Sequence, residues 1–222
     1  MSLASLMHCA PENVKSVVIG VDPKGPFSTQ QQTELERIVP GITFQLLPVY
    51  HGGWGADSVL AQCREYARIA SAEECDYVAK VDSDVLFLPG QEFSLLASSR
   101  ADAFGDGHYD GNRHFQGGLY FLSRQCCLRL HDLDHDCVTS FITAGQGKFL
   151  PGEDAVIFHL LKSKDIKIWL TYYMLFPAEY ARRRLPQEGF FPRRPASALH
   201  FIGHKADMPG YFQAIFPTLQ PK

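Results

Sequence analysis

The chain is built from short apolar runs separated by turn residues, and the runs alternate between strand-like and helix-like spacing. Val14 to Val21 (VKSVVIGV) reads as a buried strand running into Asp22-Pro23. Ser28, with Gln31 on the next turn, has the form of a capping box and opens a helix through about Val39. Pro40-Gly41 ends that helix, and Ile42 to Leu47 is a second strand. After the loop HGGWGAD, Leu60, Cys63, Ala67 and Ala70 recur at helical spacing, so a helix is predicted from an Asp57 cap to about Ala72. A third strand, Tyr77 to Val81, follows. This β-α-β-α-β order predicts an α/β fold, with a mainly parallel central sheet between layers of helices.

Beyond that point the order loosens. Gln91 to Ser98 reads as a short helix, Ala101 to Phe104 as a strand, and Gly105 to Phe115 as a polar, glycine-rich loop. Gly118 to Leu122 is a strand, and Ser123 caps a cysteine-containing helix. Pro151-Gly152-Glu153-Asp154 opens another helix, Ile166 to Tyr172 is a strand, and Ala198 to Ile202 a last one. Residues 1–13 and about 206–222 read as tails, the second mostly irregular, of a single domain spanning 1–222.

One stretch carries the chemistry. Between the apolar runs Tyr77–Val81 and Val85–Leu88 stand two carboxylates, Asp82 and Asp84, split by one serine. Acids at a strand end sit where open α/β sheets place their ligands. Two such groups repel each other, and a hard divalent cation relieves them. A solvated surface turn has the same local sequence.

Composition narrows the classes. The 222 residues are 45% hydrophobic and 20% charged, enough for a proper core. The net charge of −3 offers no general field for nucleic acid or anionic lipid. No apolar run has the ~18 residues of a membrane span. The opening MSLASLMHCAPENV lacks the charged and apolar regions of a signal peptide. Six cysteines without C-x-x-C spacing suggest reduced thiols, and with them a cytoplasmic protein. Arg182, Arg183, Arg184, Arg193 and Arg194 form a basic loop. It suits an anionic ligand or peripheral contact with the inner face of a membrane, although a solvated charge run is the commoner outcome of such a stretch.

Four segments in order resemble a known family. YVAKVDSDVLFL is similar to the metal-binding Asp-x-Asp segment of GT-A fold glycosyltransferases, the nucleotide-diphospho-sugar transferases. Its Lys80-to-Val85 form resembles the fringe and β-1,3-galactosyltransferase branch. FQGGLYFLSR, Phe115 to Arg124, resembles the glycine-containing strand that lines the acceptor side there. PGEDAVIF resembles the helix start where inverting members carry the catalytic base. LHFIGHK is similar to the His-x-x-Gly-x-x-Lys segment of the glycogenin-like branch, one residue shorter between Gly203 and Lys205.

The resemblance, which runs from Val14 to about Lys205, implies a GT-A, Rossmann-like, three-layer α/β/α domain transferring a sugar from a nucleotide-diphosphate donor, a UDP-sugar by preference. It implies Mn²⁺ or Mg²⁺ as cofactor, held by Asp84, Asp82 and His200, with His204 the competing histidine. Asp154, beside Glu153, becomes the catalytic base of an inverting transfer. Asp22, Arg64, Lys80, Asp82 and Lys205 fall on the donor side; Gln116, Gly117, Gly118 and Tyr120 fall on the acceptor side. The acceptor would be a glycan, a lipid-linked group or a protein.

For Glu153 and Asp154, compensation of the helix dipole is the plainer role. Two other classes stay open. A haloacid-dehalogenase-like phosphatase also uses Asp-x-Asp, although Val85-Leu86 stands where that family has Gly-Thr. A sugar-nucleotide or carbohydrate-binding domain of the same fold would need no catalysis.

Overall fold

The structure, a computed structural model, describes residues 1–21, 23–46, 55–89, 100–107, 114–145, 152–171, 173–177, 198–201 and 203–219. Asp22, Gly52 to Trp54, Gln91 to Ser98 and the basic loop 182–194 lie outside the described residues.

The first unit follows the expected order. Strand β1 (Val18–Val21) lies parallel to β2 (Thr43–Leu46), and helix α2 (Thr29–Ile38) connects them. The capping box at Ser28 is present: Gln31 N–H donates to Ser28 Oγ, and Ser28 N–H donates to Gln31 Oε1 at 2.9 Å. Helix α3 (Ala56–Ala72) buries Val59, Leu60, Cys63, Tyr66, Ala67 and Ala70 along one stripe. Its cap is Gly55, with no side-chain cap bond, and Asp57 falls in the first turn. The acid there complements the positive helix end without capping it.

The central sheet has the order β3-β6-β5-β7, formed by β3 (Tyr77–Val81), β6 (Phe115–Ser123), β5 (Ala103–Gly107) and β7 (Ile168–Thr171). It is mixed. β5 and β7 run parallel, whereas β6 runs antiparallel to both β3 and β5. The α/β class stands, and the parallel character is confined to part of the sheet. A periodicity argument sees strand identity but not strand direction. A second sheet, β4-β9-β8, joins β4 (Val85–Phe87) antiparallel to β9 (Ala198–His200), and β9 parallel to β8 (Met174–Leu175).

Tyr120 and Leu122 of β6 enter one apolar cluster with α3, α4 (Arg124–Leu130) and α6 (Glu153–Ser163). Val138 of α5 (His135–Gly145), a helix absent from the sequence reading, joins the same cluster. Leu119 and Phe121 face a second cluster with Val85, Phe87 and Tyr173. Helices on one side of a mixed sheet and a second sheet on the other give the layered core. Its buried cysteines are inert: all six thiols are free, and burial pushes Cys63 and Cys126 up to about 12.

Three expectations change. The opening residues form α1 (Ser2–Cys9), which packs on β4. Ser5 in it is fully buried and accepts Phe87 N–H at 3.0 Å. Local propensity there is weak, and tertiary contact supplies the stability. Near the other end, α7 (Met208–Ile215) packs Met208 and Phe212 into a third cluster with Leu86, Leu199 and Phe201. Pro209 stands in its first turn, where a proline has no helical N–H to lose. Finally, the polar stretch from Gly105 is strand as far as Gly107. Asp106 is buried within it and accepts Tyr173 N–H at 2.5 Å and Met174 N–H at 2.7 Å.

Candidate functional site

Asp82, Ser83 and Asp84 form the tight turn from β3 into β4, closed by Val85 N–H donating to Asp82 O at 3.2 Å. The pairing of β4 with β9 sets Val85 opposite His200, and Phe201 N–H donates to Asp84 O at 2.9 Å. Two distant segments thereby meet at one point. One ligand atom each from Asp82, Asp84 and His200 lies within 4.8 Å of the others. His200 Nε2 stands 3.5 Å from Asp84 Oδ1, and Lys205 Nζ lies 3.5 Å from Asp84 Oδ2. The hydrogen bond with His200 holds the Asp84 carboxyl below its ordinary range, against the upward push of burial. His204 is exposed, 3.8 Å from Asp207, and is not a member of this group.

His200 is 3% exposed, and its Nδ1 has no hydrogen-bond partner among the described residues. The ring stacks toward Phe176 and lies against Gly118, where a β-carbon would stand 2.8 Å from Nδ1 and Cε1. Gly118 therefore clears the space that the histidine occupies. Gly117 does the same for Asp154, whose Oδ2 lies 3.0 Å from where a Gly117 β-carbon would be. Asp154, half-buried at the start of α6, is thus held against β6 beside the acidic turn.

Its neighbour Glu153 has a different environment. It is buried, and Tyr120 Oη donates to its Oε1 at 3.0 Å. The Tyr120 and Tyr66 hydroxyls are 2.8 Å apart, and Tyr66 donates onward to Gln62 Oε1 at 3.1 Å. Burial pushes the Glu153 carboxyl up, while Lys80, Gln62 and Tyr120 pull the other way. Lys80 Nζ is 2.7 Å from Asp82 Oδ1 and also donates to Gly117 O. Burial works against its charge, yet Glu153, Asp82 and Asp154 leave the amine more basic than usual.

The structure thus gathers Lys80, Asp82, Asp84, Gly117, Gly118, Asp154, His200 and Lys205 in one region. Tyr120 is fully buried, with its hydroxyl turned to Tyr66 and Glu153, so it supports the site from behind and offers no surface to an acceptor. Gln116 is buried at 9% exposure on β6. Arg64 lies on the exposed side of α3. Tyr66 and Gln62 were not foreseen as members of the network. The signal was a hydroxyl on the apolar stripe of α3, since a buried tyrosine needs a partner.

No protein-family model matches the chain. In sequence it is similar to a cAMP-dependent protein kinase regulatory subunit of Aspergillus niger, 28% identical over 120 residues. That match covers 53% of this chain and 29% of that protein, so it spans under a third of the relative's length and sets no family. In structure it is similar to the galactosyltransferase LgtC in complex with donor and acceptor sugar analogues. The TM-score is 0.54 at 13% identity, covering 99% of this chain and 93% of that one. It is also similar to a glycosyltransferase involved in the glycosylation of the major capsid of PBCV-1, with TM-score 0.52 at 12% identity, covering 89% and 98%. Identities this low speak for fold. The chain has the GT-A glycosyltransferase fold, with an Asp-x-Asp turn and a histidine grouped as a candidate metal site.

Proposed function

We propose that this protein is a divalent-metal-dependent glycosyltransferase, moving a sugar from a nucleotide-diphosphate donor to an acceptor hydroxyl. The observation that carries the reading is the convergence of Asp82, Asp84 and His200 at the end of β3 in a GT-A fold. The donor set fits the cation: two carboxylates and one imidazole suit Mn²⁺ or Mg²⁺. Two of the three are buried, and His200 Nδ1 has no hydrogen-bond partner among the described residues. When bound, the ion would neutralise charge on a leaving diphosphate.

The chain's own groups have separate tasks. Lys205 is exposed at 65% and sits beside Asp84, free to turn its ammonium toward a phosphate. Asp154 is the base that takes the acceptor proton, since it is half-buried and reaches over Gly117. Glu153, buried and bonded to Tyr120, supports it. A base placed this way suits inversion at the anomeric carbon. UDP-sugars are the preferred donors, with Asp22 and Arg64 the proposed further contacts, and a glycan, lipid-linked group or protein carries the acceptor hydroxyl.

Calorimetry with a panel of nucleotide sugars, with and without Mn²⁺, tests the donor reading. Binding should need the metal, and Asp84→Asn should abolish it with the fold intact. Asp154→Asn should keep donor binding while transfer falls by about 10²–10⁴-fold. Unchanged nucleotide binding in Asp84→Asn refutes the metal site. An α-linked product from an α-linked donor refutes inversion, and release of inorganic phosphate from phosphomonoesters points to the phosphatase instead.

A further inference from the structure

Lys80 resembles a donor-side residue in sequence, but its surroundings give it other work. It stands on β3 directly opposite Tyr120 of β6. Its ammonium is 2.7 Å from Asp82 Oδ1, donates to the Gly117 carbonyl, and lies 5.9 Å from the centre of the Tyr120 ring. An ammonium has three N–H donors. A carboxylate and a carbonyl take up two of those directions, and the Tyr120 ring lies within cation–π range. The side chain is 17% exposed, whereas its Asp82 partner is 41% exposed. The amine is thus already engaged by Asp82 and the Gly117 carbonyl and largely shielded from solvent.

The two hydrogen-bond partners belong to different halves of the site. Asp82 is on the metal side. Gly117 is the residue against which Asp154 rests. Asp82 N–H in turn donates to Gly118 O at 2.9 Å, so the acidic turn and the glycine strand are stitched together twice. We infer that Lys80 is a positioning residue, which holds the Asp82 carboxylate and the Gly117 backbone at a set separation before metal or donor arrives. This rests on the glycosyltransferase reading for its purpose, but the clamp itself is a property of the metal-free protein.

The sign of one measurement separates positioning from mere charge. Removing a cation beside a metal site should, by Coulomb's law alone, strengthen the binding of Mn²⁺. Loss of a group that orients a metal ligand weakens it, typically 10–100-fold. Lys80→Met keeps the stem packed near Tyr120 and deletes only the ammonium, while Lys80→Arg restores a donor and the charge.

By calorimetry with Mn²⁺ alone, Lys80→Met should bind about tenfold or more weakly and Lys80→Arg close to wild type. Amide hydrogen exchange of the metal-free proteins supplies the second arm. Protection should fall at 81–85 and 116–119 in Lys80→Met, with α3 unchanged. If Lys80→Met does not fold, Asp82→Ala replaces it: it removes the side-chain acceptor of Lys80, frees the turn at 81–85 and leaves 116–119 protected. Equal or tighter Mn²⁺ binding together with unchanged local exchange overturns the inference. If the wild-type protein binds no Mn²⁺, the metal reading fails, and hydrogen exchange still decides the role of Lys80.

Discussion

Adding one methyl group at Gly118 should damage the metal site far more than the fold. The new β-carbon would stand 2.8 Å from Nδ1 and Cε1 of His200 and 2.9 Å from its Cγ. Comfortable contacts between such atoms are about 3.5–4.0 Å, so the ring must withdraw by roughly 0.7–1 Å. It has little room. His200 is 3% exposed, its backbone is paired with Val85, and Phe176 flanks the ring. Overpacking of this kind costs about 1–3 kcal/mol, which a domain of ordinary stability, about 5–15 kcal/mol, survives. Metal ligation is less forgiving, because ligand distances hold to about ±0.2 Å. Gly118→Ala should therefore unfold at a modestly lower urea concentration and bind Mn²⁺ at least tenfold more weakly. Gly117→Ala is the internal control: its neighbour is the end of the half-buried Asp154 side chain, which can turn aside. Paired urea titrations and Mn²⁺ calorimetry read both effects. Wild-type Mn²⁺ affinity in Gly118→Ala would show that His200 does not bind the ion from this position.

Other outcomes follow from the network behind the site. Tyr120→Phe removes the hydroxyl shared by Tyr66 and Glu153 and should cost about 1–3 kcal/mol of unfolding free energy; Tyr66→Phe added to it should cost less than the sum of the two, and strict additivity would refute a shared network. Glu153 holds its proton more tightly folded than unfolded, chiefly because it is buried, so the folded state binds more protons and stability declines as the pH climbs through the window between its ordinary and raised values. Glu153→Gln should flatten that decline in melting temperature against pH, and parallel curves for the two proteins would refute the assignment. Ser5→Ala removes the hydroxyl that accepts the Phe87 N–H and should cost about 0.5–1.5 kcal/mol, measurable by urea unfolding.

Local features were legible before the structure. The capping box at Ser28, the apolar stripe of α3 and the strand-turn-strand around Asp82 each depend on residues within a turn or two of one another. Their side-chain spacing carries the whole signal. His200 could be chosen over His204 only through resemblance, since its place beside Asp84 comes from the pairing of β4 with β9. Direction in β6 was hidden for the same reason: nothing inside FQGGLYFLS says which way it runs. Gly117 and Gly118 read as strand glycines facing an acceptor. Their clearance for Asp154 and His200 depends on side chains from two other elements. The Tyr66–Tyr120–Glu153 chain joins three segments and has no sequence spacing at all. Helix α1 escaped because its stability comes from β4.

That last helix bears on how the protein should be handled. β4 is an outer strand of its three-stranded sheet among the described residues, with β9 on one side. On the other, the Ser5 hydroxyl takes the Phe87 amide. Outer strands with free amides recruit strands from other molecules. Val85, Leu86 and Phe87 are all nearly solvent-free, and Val85 and Phe87 favour strand, so a shortened chain beginning after Cys9 would uncover an apolar strand next to Asp84. Oligomers formed by such a shortened protein would be an artefact of uncovering this edge, and metal binding measured on it would report a turn bent by foreign pairing.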